Sequence, residues 1–379
     1  MKRGFFHLVP YAFLSTFFFV LSAASGTAQV VFTEDFEEDF LSQMARRWND
    51  VVNLQGMSFF SDIPPGSPGR KSLAMTSIIG QNTGGHLYKR LVQTGGYDSL
   101  YARFYVKFAP SCHPVHHFVW LGGHNPSTNW PWPRAGIRPR GDERFSTGIE
   151  PMGARWEWDF YTYWMHMRGN PGDTFFWGND FNPSPPVPVV KNQWLCVEFM
   201  VKMNSPVSAY NGEQAFWVNG QLKHHLGLGF PRGYWVWDSF YPHPDSAPFE
   251  GFQWRIADSL KANYFWLEFY MTDGPSGQRD TVWFDDVVVS TRYIGPLGVG
   301  DNAVSPPVSR LPFSVRPNPF TSFTTLSGHS SERFALYDVS GRLIGRYKGD
   351  RIGEGLSPGV YFLKPESGDA KPLRIVKLR

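Results

Sequence analysis

The chain has 379 residues, with 36 lysines and arginines against 33 acids and a net charge of +3. That mild excess leaves no electrostatic footprint for nucleic acid, and two cysteines, Cys112 and Cys196, are too few for a disulfide framework. All 15 tryptophans lie between Trp48 and Trp283, so composition divides the chain into an aromatic body and a Trp-free tail.

Lys2 and Arg3 precede an apolar run from Phe5 to Ala24, and small residues follow in "AASGTAQ". This is the pattern of a secretory signal peptide, residues 1–28, cut after Ala28. No second apolar run reaches spanning length, so the mature chain is expected to be exported, without a membrane span, and monomeric. In an oxidising compartment Cys112 and Cys196 are either a single bridge or two buried thiols.

Residues 29–294 read as strand after strand. In "YARFYVKF" Tyr101, Arg103, Tyr105 and Lys107 share one face, while Ala102, Phe104, Val106 and Phe108 share the other. "RWEWDFYTYWMHM" repeats the period, with Arg155, Glu157, Asp159, Tyr161 and Tyr163 opposite Trp156, Trp158, Phe160 and Trp164. Gly, Pro, Asn and Asp turns separate further strands, and no long helical period competes. The expected fold is all-β, a two-sheet jelly-roll sandwich with a concanavalin-like layout. Faces that mix rings with charges suit a sugar-binding groove, because rings stack on pyranoses and charged groups bond hydroxyls and carboxylates.

A Gly/Pro/Ser linker spans residues 295–312, and a small β-domain fills 313–379. The tail carries "RPNPF", "YDVSGR", "SPGVYFLK" and a basic end. These motifs resemble the C-terminal sorting domain of the type IX secretion system. The resemblance implies that the type IX machinery is a partner, and that the protein is secreted or held at the outer cell surface.

Three clusters are candidates for chemistry. Six of the 11 histidines fall between His86 and His166. The spacings of His113, His116 and His117 do not build a zinc site, since strand neighbours point to opposite faces. Glu157 and Asp159, two apart on one strand face with Cα atoms ~6.5–7 Å apart, have the placement of a glycosidase carboxylate pair. The acids of "TEDFEEDF" and "FDDVVV" offer oxygen ligands for a structural calcium. No other cofactor is required.

The third cluster follows the order of motifs. "FVWLGGHNP", "RFSTGIEP" and "WDFYTYW" succeed one another within residues 85 to 292, and this order resembles the alginate-lyase-like jelly-roll polysaccharide lyases, family fourteen in particular. That family has a Gly-Gly-Lys corner, a Phe-Ser-x-Arg strand and a Tyr-x-Tyr strand. Gly122 and Gly123, Phe145 and Ser146, and Tyr161 and Tyr163 match, whereas His124 stands in place of the lysine and Gly148 in place of the arginine. The resemblance implies β-elimination on an acidic, uronic-acid-containing polysaccharide. His124, Tyr161 and Tyr163 would handle protons, and Arg138, Arg140 or another arginine of the crowded Arg134–Arg144 segment would neutralise the carboxylate. Tyr101, Arg103, Tyr105, Lys107, Trp130, Trp132, Arg134, Ser146, Glu150, Glu157 and Asp159 are the candidate sugar contacts. Two alternatives stay open. One is a glycoside hydrolase using Glu157 and Asp159, and the other is a non-catalytic carbohydrate-binding protein stacking sugars on Trp130, Trp132 and the tyrosines.

Overall fold

A computed structural model describes residues 29–172, 174–298, 315–316, 318–326, 333–339, 341–365 and 373–378. The expected signal peptide and linker residues 299–312 lie outside the described residues.

The strands of the aromatic body, in chain order, begin with β1 (Val30–Glu34), β2 (Asp50–Val52), β3 (Met57–Phe60), β4 (Ser72–Ile78), β5 (Gly84–Arg90) and β6 (Ser99–Phe108). Next come β7 (His117–His124), β8 (Arg144–Pro151), β9 (Trp158–Tyr163), β10 (Asn179–Phe181), β11 (Leu195–Lys202) and β12 (Glu213–Val218). The last six are β13 (Gln221–Leu226), β14 (Arg232–Val236), β15 (Ser239–Pro242), β16 (Ala247–Pro248), β17 (Tyr264–Tyr270) and β18 (Arg279–Ser290). One sheet has the order β13-β12-β11-β6-β18-β4-β3, with β1 on β18; the other runs β16-β14-β15-β10-β9-β8-β7-β17-β5-β2. The fold is the expected two-sheet β-sandwich.

The alternation read from the sequence decides which face is inside. Phe104 and Phe284 of the first sheet meet Phe118 of the second at ring-centroid distances of 6.1 and 5.3 Å. Phe160 meets Phe216 edge-on at 5.3 Å, and Trp158 packs on Phe108. Each such side chain, fully buried, contributes about 1.5–3 kcal/mol of transfer free energy, and this aromatic seam holds the sheets together. Cys112 and Cys196 are both free thiols and both buried.

The pattern fails at two places. β9 starts at Trp158, because Gly153–Arg155 form a 3-10 turn and Trp156 sits at φ +50°. Arg155 and Glu157 therefore lie off the strand that carries Asp159. His116 precedes β7 rather than belonging to it, so its ring meets that of His117 at 4.4 Å instead of pointing to the opposite face.

In the tail, strands β19 (Val315–Arg316) and β20 (Thr325–Leu326) pair with each other. A four-stranded sheet of β21 (Arg333–Tyr337), β22 (Leu343–Lys348), β23 (Gly359–Pro365) and β24 (Leu373–Lys377) has the order β22-β21-β23-β24. Phe320, Leu326, Phe334, Leu336, Leu363 and Ile375 belong to a core cluster of its own. Among the described residues, no helix is long and apolar enough to cross a membrane.

Candidate active site

The outer face of the second sheet carries the polar-aromatic residues of five neighbouring strands. Ladder register places His124 beside Arg144 and Ser146 beside Tyr163. Gly148 lies beside both Trp120 and Tyr161, and Gly122 beside Tyr264. Glu150 and Asp159 pair further along the same face. The sheet thus assembles His124, Ser146, Tyr161 and Tyr163, which sequence order alone had associated.

Close approach explains the glycines. A Cβ at Gly122 would lie 2.4 Å from the Tyr264 hydroxyl oxygen, so only glycine lets that ring lie across the strand. Tyr264 then stacks on the His124 ring, centroids 4.8 Å apart and planes at 17°. At Gly148 a Cβ would come within 3.0 Å of the Trp120 indole. A side chain at Gly148 would therefore have to push the Trp120 indole back by a few tenths of an ångström.

The arginine of this site is Arg144, four residues back along β8. It is 1% exposed. Its Nη2 donates to the carbonyls of Arg134 and Ile137, anchoring the loop that follows β7. Nε and Nη1 have no partner among the described residues, and no carboxylate pairs with this guanidinium. His124 is 3% exposed, with both ring nitrogens unpartnered. Asn263 grips its backbone instead, accepting from the His124 N–H at 3.1 Å and donating to its carbonyl at 2.8 Å. Burial, with the nearby Arg144 charge, pushes the His124 imidazole down to about 4, so at neutral pH it is an uncharged base beside a fixed cation.

The tyrosines hold their protons. Burial raises Tyr161 and Tyr264 far above the ordinary phenol, and raises Tyr163 as well. The Tyr163 hydroxyl donates to the Trp177 carbonyl at 2.6 Å, and its ring lies 5.8 Å from the Arg144 guanidinium carbon. These phenols are proton donors at neutral pH.

Exposed rings flank this end of the sheet face. Trp132 lies 6.1 Å from the His124 ring and carries the Arg134 guanidinium at 4.8 Å. Trp130, Phe175 and Trp177 are also exposed. A loop otherwise rich in polar groups thus keeps aromatic surface in water, where it can stack on sugar.

Several candidates fall elsewhere. Arg140 is exposed and paired with Asp142 at 3.1 Å and Glu143 at 3.5 Å, so its charge is spent within its own loop. Arg138 stacks on Phe176 at 3.9 Å. Tyr101, Arg103, Tyr105 and Lys107 lie on β6, on the outer face of the other sheet, away from the groove. There Tyr101 packs near Trp217 and Lys107 pairs with Asp62. Glu157 faces Arg155 at 3.7 Å rather than forming a strand-borne pair with Asp159.

Three residues were not singled out by sequence: Asn263, Tyr264 and Trp120. Their signal was present. In "NYFWLEFY" Tyr264, Trp266, Glu268 and Tyr270 alternate as clearly as the tyrosines of β9. Trp120 stacks on Trp266 at 5.8 Å and donates to Glu268 at 3.0 Å, which makes the floor of the groove.

Where the first and last strands pair, Glu34 lies beside Val287. Arg47 already sits among Glu34, Asp35 and Glu38, at 3.4, 3.9 and 2.7 Å. Nearby, buried Asp285 and Asp286 each keep one oxygen without a partner. Burial raises both carboxyls, Asp285 to about 8, with the charges of Asp35 and Glu37 adding to the effect.

No family model matches the chain, nor does any curated protein. Solved structures do match. An alginate lyase from a Chlorella virus has 14% identity, covering 70% of this chain and 100% of that chain, with a TM-score of 0.45. An endo-β-1,4-glucuronan lyase from the fungus Trichoderma reesei has 14% identity over 70% and 96%, TM-score 0.39. A laminarinase from a Flavobacterium has 12% identity over 69% and 99%, TM-score 0.34. At these values the likeness carries no functional weight, and the chemistry has to come from the residues of the groove.

Proposed function

We propose that the protein is a polysaccharide lyase that cleaves an acidic, uronic-acid-containing polymer by β-elimination at His124, Tyr163 and Arg144. The observation that carries this reading is Arg144, a buried cation with two unpaired N–H groups and no carboxylate partner, set beside an uncharged histidine. A buried guanidinium in that state calls for an anion, and a planar carboxylate fits its fork.

The steps follow from the residues. The uronate carboxylate binds Arg144, which lowers the cost of charge as C5 loses its proton. His124 takes that proton; the electrons of the C5–H bond form the C4=C5 double bond, and the C4–O4 bond breaks. The departing O4 takes the phenolic proton of Tyr163. Tyr161 and Ser146 hold the sugar from the same face, while Trp130 and Trp132 stack on it from the rim.

The test is absorbance near ~235 nm, where the unsaturated uronate absorbs, against a panel of acidic polysaccharides. Activity on one of them should fall by about 10²–10⁴-fold in His124→Ala, the size of a lost general base. Reducing ends without that absorbance would sink elimination and move the chemistry to Glu157 and Asp159. Saturable binding without either product would leave a carbohydrate-binding protein.

We further propose that residues 313–379 address the chain to the type IX machinery and that the aromatic body acts as a secreted or surface-held monomer. The carboxylates of Glu34, Asp35 and Glu38, whose oxygens lie within 4.8 Å of one another, are the set that would hold a structural calcium. Added calcium should then raise Tm, and Asp35→Asn should abolish the rise.

A further inference from the structure

The two ends of the groove differ in charge. Four carboxyls share the groove face: Glu150, Asp159, Asp180 and Glu268. Arg144 and Arg134 stand at the His124 end. Asp159 is four residues from Tyr163 along β9, about 13 Å at the rise of an antiparallel strand, more than one sugar unit away.

Around Asp159 the sheet opens into a cleft of about 210 Å3, bordered by Arg155, Glu157, Asn182, Tyr234 and Tyr241. Asp159 is 2% exposed and neither of its oxygens has a hydrogen-bond partner among the described residues. Tyr234 and Tyr241 stack on each other at 5.9 Å, and Tyr234 is half exposed. Arg155 donates to Asn182 at 2.9 Å and faces Glu157 at 3.7 Å, so the one cation of the cleft is already engaged. Burial and the neighbouring acids Asp180 and Glu150 raise Asp159 well above the ordinary carboxyl.

We infer that this cleft is a subsite for a neutral pyranose, so that the polymer cut at His124 is a heteropolysaccharide whose uronic acids are spaced by uncarboxylated sugars. The inference rests on the elimination reading for its second half and on the cleft alone for its first. A homopolyuronate carries a carboxylate on every unit and would need a cation at each subsite. Here a second carboxylate would meet the acids Asp159 and Glu157 and no unengaged cation, which opposes binding. Hydroxyl groups instead find a carboxyl, the Asn182 amide and stacking rings.

The experiment has two arms. Binding of cellotetraose, mannotetraose and xylotetraose is measured by calorimetry on the mature protein, on Tyr234→Ala and on Arg144→Ala. Release of unsaturated ends is measured on deacylated gellan, which spaces glucuronate with neutral sugars, and on polymannuronate and polyglucuronate. The expected result is that a neutral tetrasaccharide binds, that Tyr234→Ala weakens it at least tenfold, and that Arg144→Ala leaves it unchanged. A mixed polymer should be cut at least tenfold faster than either homopolymer, with that advantage lost in Tyr234→Ala. No neutral tetrasaccharide bound, or a homopolymer cut fastest and equally by Tyr234→Ala, would overturn the inference. Tyr234-dependent neutral binding with no unsaturated product from any polymer would uphold the cleft and sink elimination. Tyr234 is half exposed, so its truncation leaves the core intact; Tyr241→Ala is the second variant.

Discussion

Strands β6 and β9 read almost alike, each setting rings and charges on one face against hydrophobic residues on the other, yet the structure surrounds them differently. The polar face of β6 is covered by the chain that leaves β18. Arg103 donates to the carbonyls of Gly295 and Asp286 at 3.2 and 3.0 Å. Leu297 N–H donates to the Tyr105 hydroxyl at 2.7 Å. Glu198, one strand over, accepts from the N–H groups of Ile294 and Gly295 at 2.8 Å each. The polar face of β9 meets a segment only in part: the Tyr163 hydroxyl donates to the Trp177 carbonyl and Gly178 lies against the Tyr161 ring, but on the neighbouring strand Arg144 keeps Nε and Nη1 unpaired. Residue type does not distinguish a structural face from a functional one. Whether the chain itself supplies the partners does.

Arg144 and Arg103, both buried, break this comparison most directly. Arg144→Ala should lower kcat/KM by about 10²–10³-fold, the loss expected for a donor aimed at developing charge. Arg144→Lys should recover only part, since an ammonium lacks the bidentate fork. Arg103→Met should leave kcat/KM within about twofold and instead cost about 2–4 kcal/mol of stability, because it orphans two carbonyls and removes the positive charge near the buried Glu198. Initial rates and urea midpoints measured on the same preparations decide it. Equal kinetic losses in both variants would mean that Arg144 acts only as a loop anchor.

Much of this was legible beforehand, and the exceptions have physical causes. The sandwich followed from period-2 alternation, which reports burial on one face and held for β6, β7, β9 and β17. Alternation says nothing about which face of a sheet is later covered, so Tyr101, Arg103, Tyr105 and Lys107 looked as sugar-facing as Tyr161 and Tyr163. Arg138 and Arg140 were plausible carboxylate partners by proximity in sequence, but Asp142, Glu143 and Phe176 engage them locally. The departure at Gly148 reads in the sequence as a missing arginine. Its cause is a ladder neighbour 28 residues away, Trp120, which no local pattern reports.

Gly148→Arg sharpens that point. An arginine placed at this position should not improve turnover. The new side chain has to displace the Trp120 indole, which stacks on Trp266 and bonds Glu268. Overpacking of this kind costs about 1–3 kcal/mol, so a lowered Tm with unchanged or reduced kcat/KM is expected. A gain in kcat/KM would mean that the groove floor yields easily and that Arg144 is not the sole carboxylate anchor.

The smallest effect is one of pH. His124 must be neutral to accept the C5 proton, and burial with Arg144 holds it at about 4. The acid limb of kcat/KM should therefore lie near pH 4, well below the ordinary histidine at ~6.5. The same shift links to stability. Between pH 6.5 and about 4 the unfolded chain takes up a proton at this histidine that the folded one refuses, so its contribution is full above pH 6.5 and is lost as pH falls, on the order of 3 kcal/mol in all. Glu150 and Asp159 run the other way. Their carboxyls are raised in the fold, so the stability they contribute is present at low pH and is lost as pH rises through their folded values. Subtracting the urea midpoints of His124→Ala from those of the wild type cancels the carboxyls and leaves the histidine. That difference should shrink from pH 7 to pH 4; a difference that grew toward acid would place a proton on His124 in the folded state and remove it as the base.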